Sequence, residues 1–120
     1  MHFRNAREVE ALETPHGEIV YELCGDAAGG AAGHSLARIV IPPGKASRPH
    51  LHPTAEESYY ILAGAADLTL GDQVVRLGPG DAVVIPPGTA HHLRNGGSDD
   101  LVLLAVCVPP WRPDNSVYLD

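Results

Sequence analysis

Cysteine is nearly absent. The 120-residue chain has two, Cys24 and Cys107, too few for a disulfide framework and distant in sequence. Neither stands in the C-x-x-C pair that thiol exchange would use. Free buried thiols are the expectation, with a bridge between the two left open. Basic residues are also few: 8 Lys and Arg against 15 Asp and Glu give a formal net charge of −7. No cationic stripe can follow a phosphate backbone, so nucleic acid is not an expected partner. The acidic residues are dispersed, as on a solvated surface, rather than gathered into an acidic tail. No apolar run approaches the roughly 18 residues of a membrane helix, and the opening MHFRNAREVEALE has no apolar segment behind its charges. Neither a membrane nor a secretory leader is expected, and the expected compartment is the cytoplasm.

What is present points to strands. Hydrophobic residues make up 44% of the chain, while 13 Gly and 11 Pro supply many tight turns. The length suits one domain, residues 1–120, with its own core. Apolar runs bounded by Gly, Pro, Asp or Asn recur: GEIVYELC at 17–24, SLARIVI at 35–41, SYYILAG at 58–64, ADLTL at 66–70, QVVRL at 73–77, DAVVI at 81–85, HHLRN at 91–95 and LVLLAVCV at 101–108. That rhythm predicts an all-β sandwich or barrel. Only residues 5–13 have the composition of a short helix. The small-residue stretch GDAAGGAAGH at 25–34 reads as a hairpin loop. Residues 1–16 form a short N-terminal segment and 109–120 an extended C-terminal arm. Trp111, Val117 and Tyr118 in that arm have little core to join, so they are expected to pair with a neighbouring subunit in a homodimer.

Ionisable side chains crowd into GKASRPHLHPTAEESYYILAG at 44–64. In a strand, residues i and i+2 share a face about 6.6 Å apart, so the imidazoles of His50 and His52 can lean toward one point. A metal at about 2.1 Å from each nitrogen fits between them. Glu57, after the turn-like PTAE, can add a carboxylate oxygen, and His91, after the corner IPPGTA, can complete the set if the two segments pack together. The alternative for an isolated H-x-H is a pair of exposed or singly satisfied histidines.

Two spaced patterns bear on that choice. Gly44, His50, His52, Glu57 and Gly64 match G-x5-H-x-H-x4-E-x6-G, and Gly80, Pro86, Gly88, His91 and Asn95 match G-x5-P-x-G-x2-H-x3-N. Together they resemble the two motifs of the cupins. The resemblance implies a double-stranded β-helix, or jelly-roll barrel, with one divalent transition metal per subunit on His50, His52, Glu57 and His91. Fe, Mn, Ni, Zn, Co and Cu all suit such mixed N/O ligation. Similar small cupins are commonly dimers. Glu57 rather than Glu56 is the expected ligand because it shares parity with Tyr59 and Ile61, whereas Glu56 belongs to the turn. His92 is expected on the outer face, Asn95 as the holder of its turn, and Tyr60 and Leu62 in the core.

Three neutral imidazoles and one carboxylate leave a divalent ion with a charge of about +1 and, for an octahedral metal, two open positions. Arg48, in phase with His50 and His52, and Arg38, within SLARIVI, are candidate cations for an anionic substrate; the alternative is that both are rim residues. Tyr59, in phase with Glu57, is the candidate hydroxyl beside the metal, or else a wall residue. The resemblance implies a metal-dependent enzyme, of dioxygenase, isomerase or lyase type, acting on a small oxygenated molecule. The alternative is a module that binds a small ligand without reaction.

Overall fold

In the computed structural model, which describes residues 1–120, the chain forms eleven strands and two short 3-10 turns. They are β1 Leu12–Glu13, β2 Ile19–Cys24, β3 Ser35–Ile41, β4 His50–Leu51, β5 Glu56–Ala63, β6 Ala66–Leu70, β7 Gln73–Leu77, β8 Ala82–Ile85, β9 His91–Asn95, β10 Leu101–Val108 and β11 Val117–Tyr118. Six make one sheet in the order β1-β2-β3-β10-β5-β8 and five make the other, β11-β4-β9-β6-β7. Neighbouring strands are antiparallel throughout. The expected jelly roll is therefore the observed architecture.

Strict alternation makes the core. Along β3, Ser35, Ala37, Ile39 and Ile41 are buried while the residues between them are partly open. β10 answers with Leu101, Leu103, Ala105 and Cys107, paired in register as Ile41↔Leu101, Ile39↔Leu103, Ala37↔Ala105 and Ser35↔Cys107. Each Ile or Leu shut away from water stabilises the fold by about 1.5–3 kcal/mol. The sequence of pairs also tapers. Branched side chains fill the barrel at the Ile41–Leu101 end, joined by Ile61 from the same sheet and by Leu68 and Leu93 from the facing one. Alanine, serine and cysteine leave the other end hollow, and the functional residues line that hollow.

Glycine matters most at the β5–β6 corner. Gly64 has φ +87°, and a Cβ there would stand 2.6 Å from the carbonyl oxygen of Asp100. Only glycine fits both the backbone and the space.

Three expectations are corrected. Residues 5–13 are not a helix: Ala6–Glu8 make one 3-10 turn capped by Asn5, and Leu12–Glu13 pair with the edge of β2. Nine residues without an apolar stripe cannot repay helix nucleation, whereas the edge of β2 offers backbone partners. Val117 and Tyr118 of the C-terminal arm, expected to find little of their own chain to join, do have a strand partner within it. They pair with Leu51 and His50 of their own chain and close the edge of the second sheet. Tyr60 and Leu62 are 46% and 43% exposed rather than in the core. Glu57, Tyr59 and Ile61 take the inner face of β5, so the intervening residues must face outward.

Candidate metal centre

The four candidate ligands come from three strands on two sheets and one connecting residue. His50 in β4 and His91 in β9 are direct cross-strand partners, which brings their ring centroids to 4.2 Å. His52 follows β4, with its centroid 4.9 Å from that of His50. Glu57 comes from the opposite sheet, because the short PTAE connection carries the chain from one layer of the barrel to the other. Gly88, at φ +76°, turns the chain before His91, and its N–H donates to the carbonyl of His52 at 2.7 Å. That bond ties the two motif segments together.

Backbone carbonyls decide which nitrogen each imidazole presents. Nδ1 of His50 lies 2.6 Å from the carbonyl oxygen of Arg48, Nδ1 of His52 3.0 Å from that of Asn115, and Nδ1 of His91 3.0 Å from that of Thr89. Carbonyls only accept, so each Nδ1 must carry the proton. Every Nε2 is then left with a bare lone pair turned toward its neighbours. The consequence is visible in the buried atoms: Nε2 of His52, Nε2 of His91 and Oε1 of Glu57 are sealed from water with no hydrogen-bond partner. Buried polar atoms are rarely abandoned. These three lie at 3.2 Å (His91–Glu57) and 3.6 Å (His52–Glu57), and with His50 the four donor atoms fall within 4.8 Å of one another. A divalent transition metal with bonds of about 2.1 Å fits that spacing and would satisfy all of them.

The electrostatics agree with cation binding. Burial opposes the charge on Glu57, but His52 and His91 more than offset it and hold the carboxyl well below the usual carboxylate range. It is an anion at every ordinary pH. Burial, and then His91, push His50 down to about 4, so its ring is neutral and its lone pair free. At His52 burial again disfavours the charge, and the Glu57 carboxylate outweighs it and raises the pKa. The second oxygen of Glu57 is held from behind, where the Cys107 thiol donates to Oε2 at 3.5 Å. Both cysteines are free, and burial followed by the Glu57 charge drives the Cys107 thiol far above its ordinary value.

The profile of the cupin domain matches residues 37–107, which hold all four donors. The chain is a cupin. An uncharacterized protein of Methanocaldococcus jannaschii is 34% identical over 113 residues, spanning 94% of this cupin and 90% of its relative. The polyketide cyclase RemF of Streptomyces resistomycificus superposes with a TM-score of 0.79 at 28% identity, over 100% of this chain and 87% of that one. Streptomyces PAC13 with uridine superposes with a TM-score of 0.84 at 15% identity, over 100% and 92%, a likeness of fold. This cupin covers only 35% of the length of the plant germin-like proteins that it also matches.

Beside the four donors the hollow end of the barrel opens as a cavity of about 410 Å³. Tyr59 lines it, with its ring edge-on to His91 at 6.2 Å between centroids. Burial, then the Glu57 charge, raise its pKa far above the ordinary value, so the phenol keeps its proton. Arg48 also lines the cavity but is engaged: its Nε donates to Asp120 at 2.6 Å and its guanidinium stacks 4.1 Å above the Tyr118 ring. Arg38 is a correction. Its neighbours Ala37 and Ile39 take the inner face of β3, so Arg38 stands on the outer face and does not line the cavity. Glu56 is exposed, and His92 lies on the opposite face of β9 from His91. Asn95 holds its turn, accepting from Gly97 N–H at 2.8 Å, and also donates to the carbonyls of Ile41 at 2.7 Å and Asp99 at 2.8 Å.

Sequence reasoning missed Glu18 and Glu22, which line the cavity from β2 and the residue before it. A signal existed: both are in phase with Val20, which also lines the cavity. It missed the outer partners of the histidines altogether, because backbone carbonyls leave no trace in residue identity.

Proposed function

We propose that this cupin is a metal-dependent enzyme acting on a small oxygenated organic molecule. His50, His52, Glu57 and His91 would hold one divalent transition metal. The observation that carries this reading is the trio of buried, partnerless donor atoms on His52, Glu57 and His91 beside a cavity large enough for a small molecule. Such a metal supplies Lewis acidity, or dioxygen activation where it is redox-active, at its open positions.

The chain's own groups have definable parts. The three imidazoles would turn Nε2 toward the ion, because their Nδ1 protons are held by the Arg48, Asn115 and Thr89 carbonyls. Glu57 contributes the one negative charge. Tyr59, protonated and buried, is a hydrogen-bond donor to substrate rather than a base. Arg48, fixed by Asp120 and Tyr118, is a positioned cation at the cavity edge rather than a mobile clamp. Val20, Ala37, Ile39 and Ala105 give the cavity an apolar lining for the carbon part of the substrate. The resemblance to a polyketide cyclase at 28% identity supports a substrate with an oxygenated carbon skeleton.

Metal analysis of purified protein, chelation and reloading with single ions, followed by turnover and oxygen-uptake assays on small diketones, catechols and hydroxy acids, tests the proposal. It requires turnover that disappears on stripping and returns with one ion. Retention of a ligand with no product under any metal would replace it with the non-catalytic binding module.

A further inference from the structure

The cavity has a second polar wall, contributed by β2 and the residues before it rather than by the strands that carry the four donors. β2 runs along the side of the first sheet away from β5, with β3 and β10 between. In register, Glu22 is opposite Ala37, Ala37 opposite Ala105, and Ala105 opposite Tyr59. Three strand spacings of about 4.8 Å separate the backbones of Glu22 and Tyr59 by about 14 Å along the curve of the sheet, and by less across the hollow. The alanines between them form a low apolar floor.

At one end of that wall sits Glu18. Its side chain is nine-tenths buried, lines the cavity and makes no hydrogen bond or ion pair. Its cross-strand neighbour is Thr14, whose N–H donates to the Glu18 carbonyl at 2.9 Å. Thr14 also lines the cavity, and its Oγ1 is sealed from bulk water without a partner. Two neighbouring polar side chains thus face one hollow with their hydrogen-bonding capacity unused. The nearest cation on the cavity wall, Arg48, is taken by Asp120. Against it the lining carries Glu10, Glu13, Glu18, Glu22 and Glu57. Burial first, and the Glu57 charge second, raise both Glu18 and Glu22 to about 7.

We propose that the β2 wall is a substrate subsite facing the four-donor centre, with Thr14 and Glu18 at one end and Glu22 about 13 Å along the same strand face at the other, so that either end can receive a hydroxyl or ammonium group at the far end of the substrate. The inference rests on the metal-centre reading for the near end and defines a substrate class. The molecule has a metal-binding oxygen at one end, a compact apolar middle over Ala37 and Ala105, and a hydrogen-bond donor at the other. Above pH 7, where both carboxyls are ionised, carboxylates and phosphates at that far end are rejected, because acceptor would meet acceptor in a poorly solvated space; the titrations below are therefore run at pH 8.

Three probes share a catechol end and differ only at the other: 3,4-dihydroxybenzyl alcohol, 3,4-dihydroxybenzylamine and 3,4-dihydroxybenzoate. Calorimetric titration of metal-loaded protein is expected to give the alcohol and amine an advantage of about 10-fold or more over the benzoate. In a Glu18→Gln, Glu22→Gln double variant with unchanged metal content, that advantage should shrink to within about 3-fold. Thr14→Val should weaken the alcohol by about 3-fold and leave the benzoate unchanged. Equal or tighter binding of the benzoate to wild type, or a preference unaltered in the double variant, overturns the subsite. If the purified protein holds no metal, the proposed function fails separately, and the wall is read in metal-free protein by the amide shift of Val20. A response to the amine that the double variant loses supports the subsite; no response to any of the three probes overturns it.

Discussion

The ring of His52 is oriented by Asn115, a residue 63 positions further along the chain. Nδ1 of His52 lies 3.0 Å from the Asn115 carbonyl and 3.1 Å from Ser116 Oγ, while the Asn115 side chain accepts from Thr54 N–H at 3.2 Å. The C-terminal arm is thus an outer support of the metal centre. Arg48 and His16 grip its last residue, Asp120, and hold that carboxyl down at about 2.

Deleting residues 111–120 should therefore weaken metal binding by about 10–100-fold, as removal of partners behind ligating histidines generally does. Competition with a chromophoric chelator measures the affinity, and circular dichroism checks that the sheets remain. Unchanged affinity would deny the arm this role.

Removing a donor acts more severely. Glu57→Gln keeps the shape and deletes the only anionic oxygen, so metal affinity should fall by more than about 100-fold, beyond the usual effect of an outer partner. The folded barrel should survive, since the core of Ile41, Ile61, Leu101 and Leu103 lies at the opposite end. Mass spectrometry of bound metal reads the loss.

Glu18 gives a pH-dependent stability of definite sign. Its carboxyl rises from an ordinary value of 4.5 to about 7 in the folded protein. Below 4.5 both folded and unfolded chains are protonated there and nothing is lost. Between 4.5 and 7 the folded chain binds more protons, so stability falls as pH rises and the loss is complete above 7. In metal-free protein, Glu18→Gln should match wild type near pH 4 and exceed it at pH 8 by up to roughly 3 kcal/mol. Urea unfolding at the two pH values measures the difference.

Thiol chemistry should separate the two cysteines. Cys24 is partly open and Cys107 is buried. Iodoacetamide should label Cys24 in the native protein and Cys107 only after denaturation. A Cys24–Cys107 peptide on non-reducing mapping would contradict the observed free thiols.

We propose a homodimer through the outer face of the first sheet. Tyr60, Leu62, Val84 and Val108 stand 46%, 43%, 55% and 50% exposed on β5, β8 and β10 of the first sheet. Light scattering at micromolar concentration should give twice the chain mass, and Tyr60→Lys with Val84→Lys should give the monomer. A monomeric wild type removes the expectation.

The legible parts of this cupin were those written in local spacing. The apolar runs SLARIVI and LVLLAVCV announced two core strands, and IPPG at 41–44 and 85–88 marked the ends of β3 and β8. The long strands were found, while β1, β4 and β11, each of two residues, were invisible as patterns, because two residues carry no period. Arg38 was misplaced as a candidate because its parity with the core residues was not applied. Glu18 and Glu22 were overlooked because a glutamate in a short apolar run looks like solvated surface until the fold shows that it lines a cavity.

By itself, then, the amino-acid order determined which side chains share a strand face, where the chain turns, and that His50, His52, Glu57 and His91 stand at motif spacing. Only the folded barrel decided that Glu57 reaches the histidines from the opposite sheet, that carbonyls of Arg48, Asn115 and Thr89 set their tautomers, and that Ala37 and Ala105 leave room for a cavity. The reason is one of range. Side-chain parity is a property of neighbours along the chain, whereas convergence, tautomer and empty volume arise where distant backbones meet.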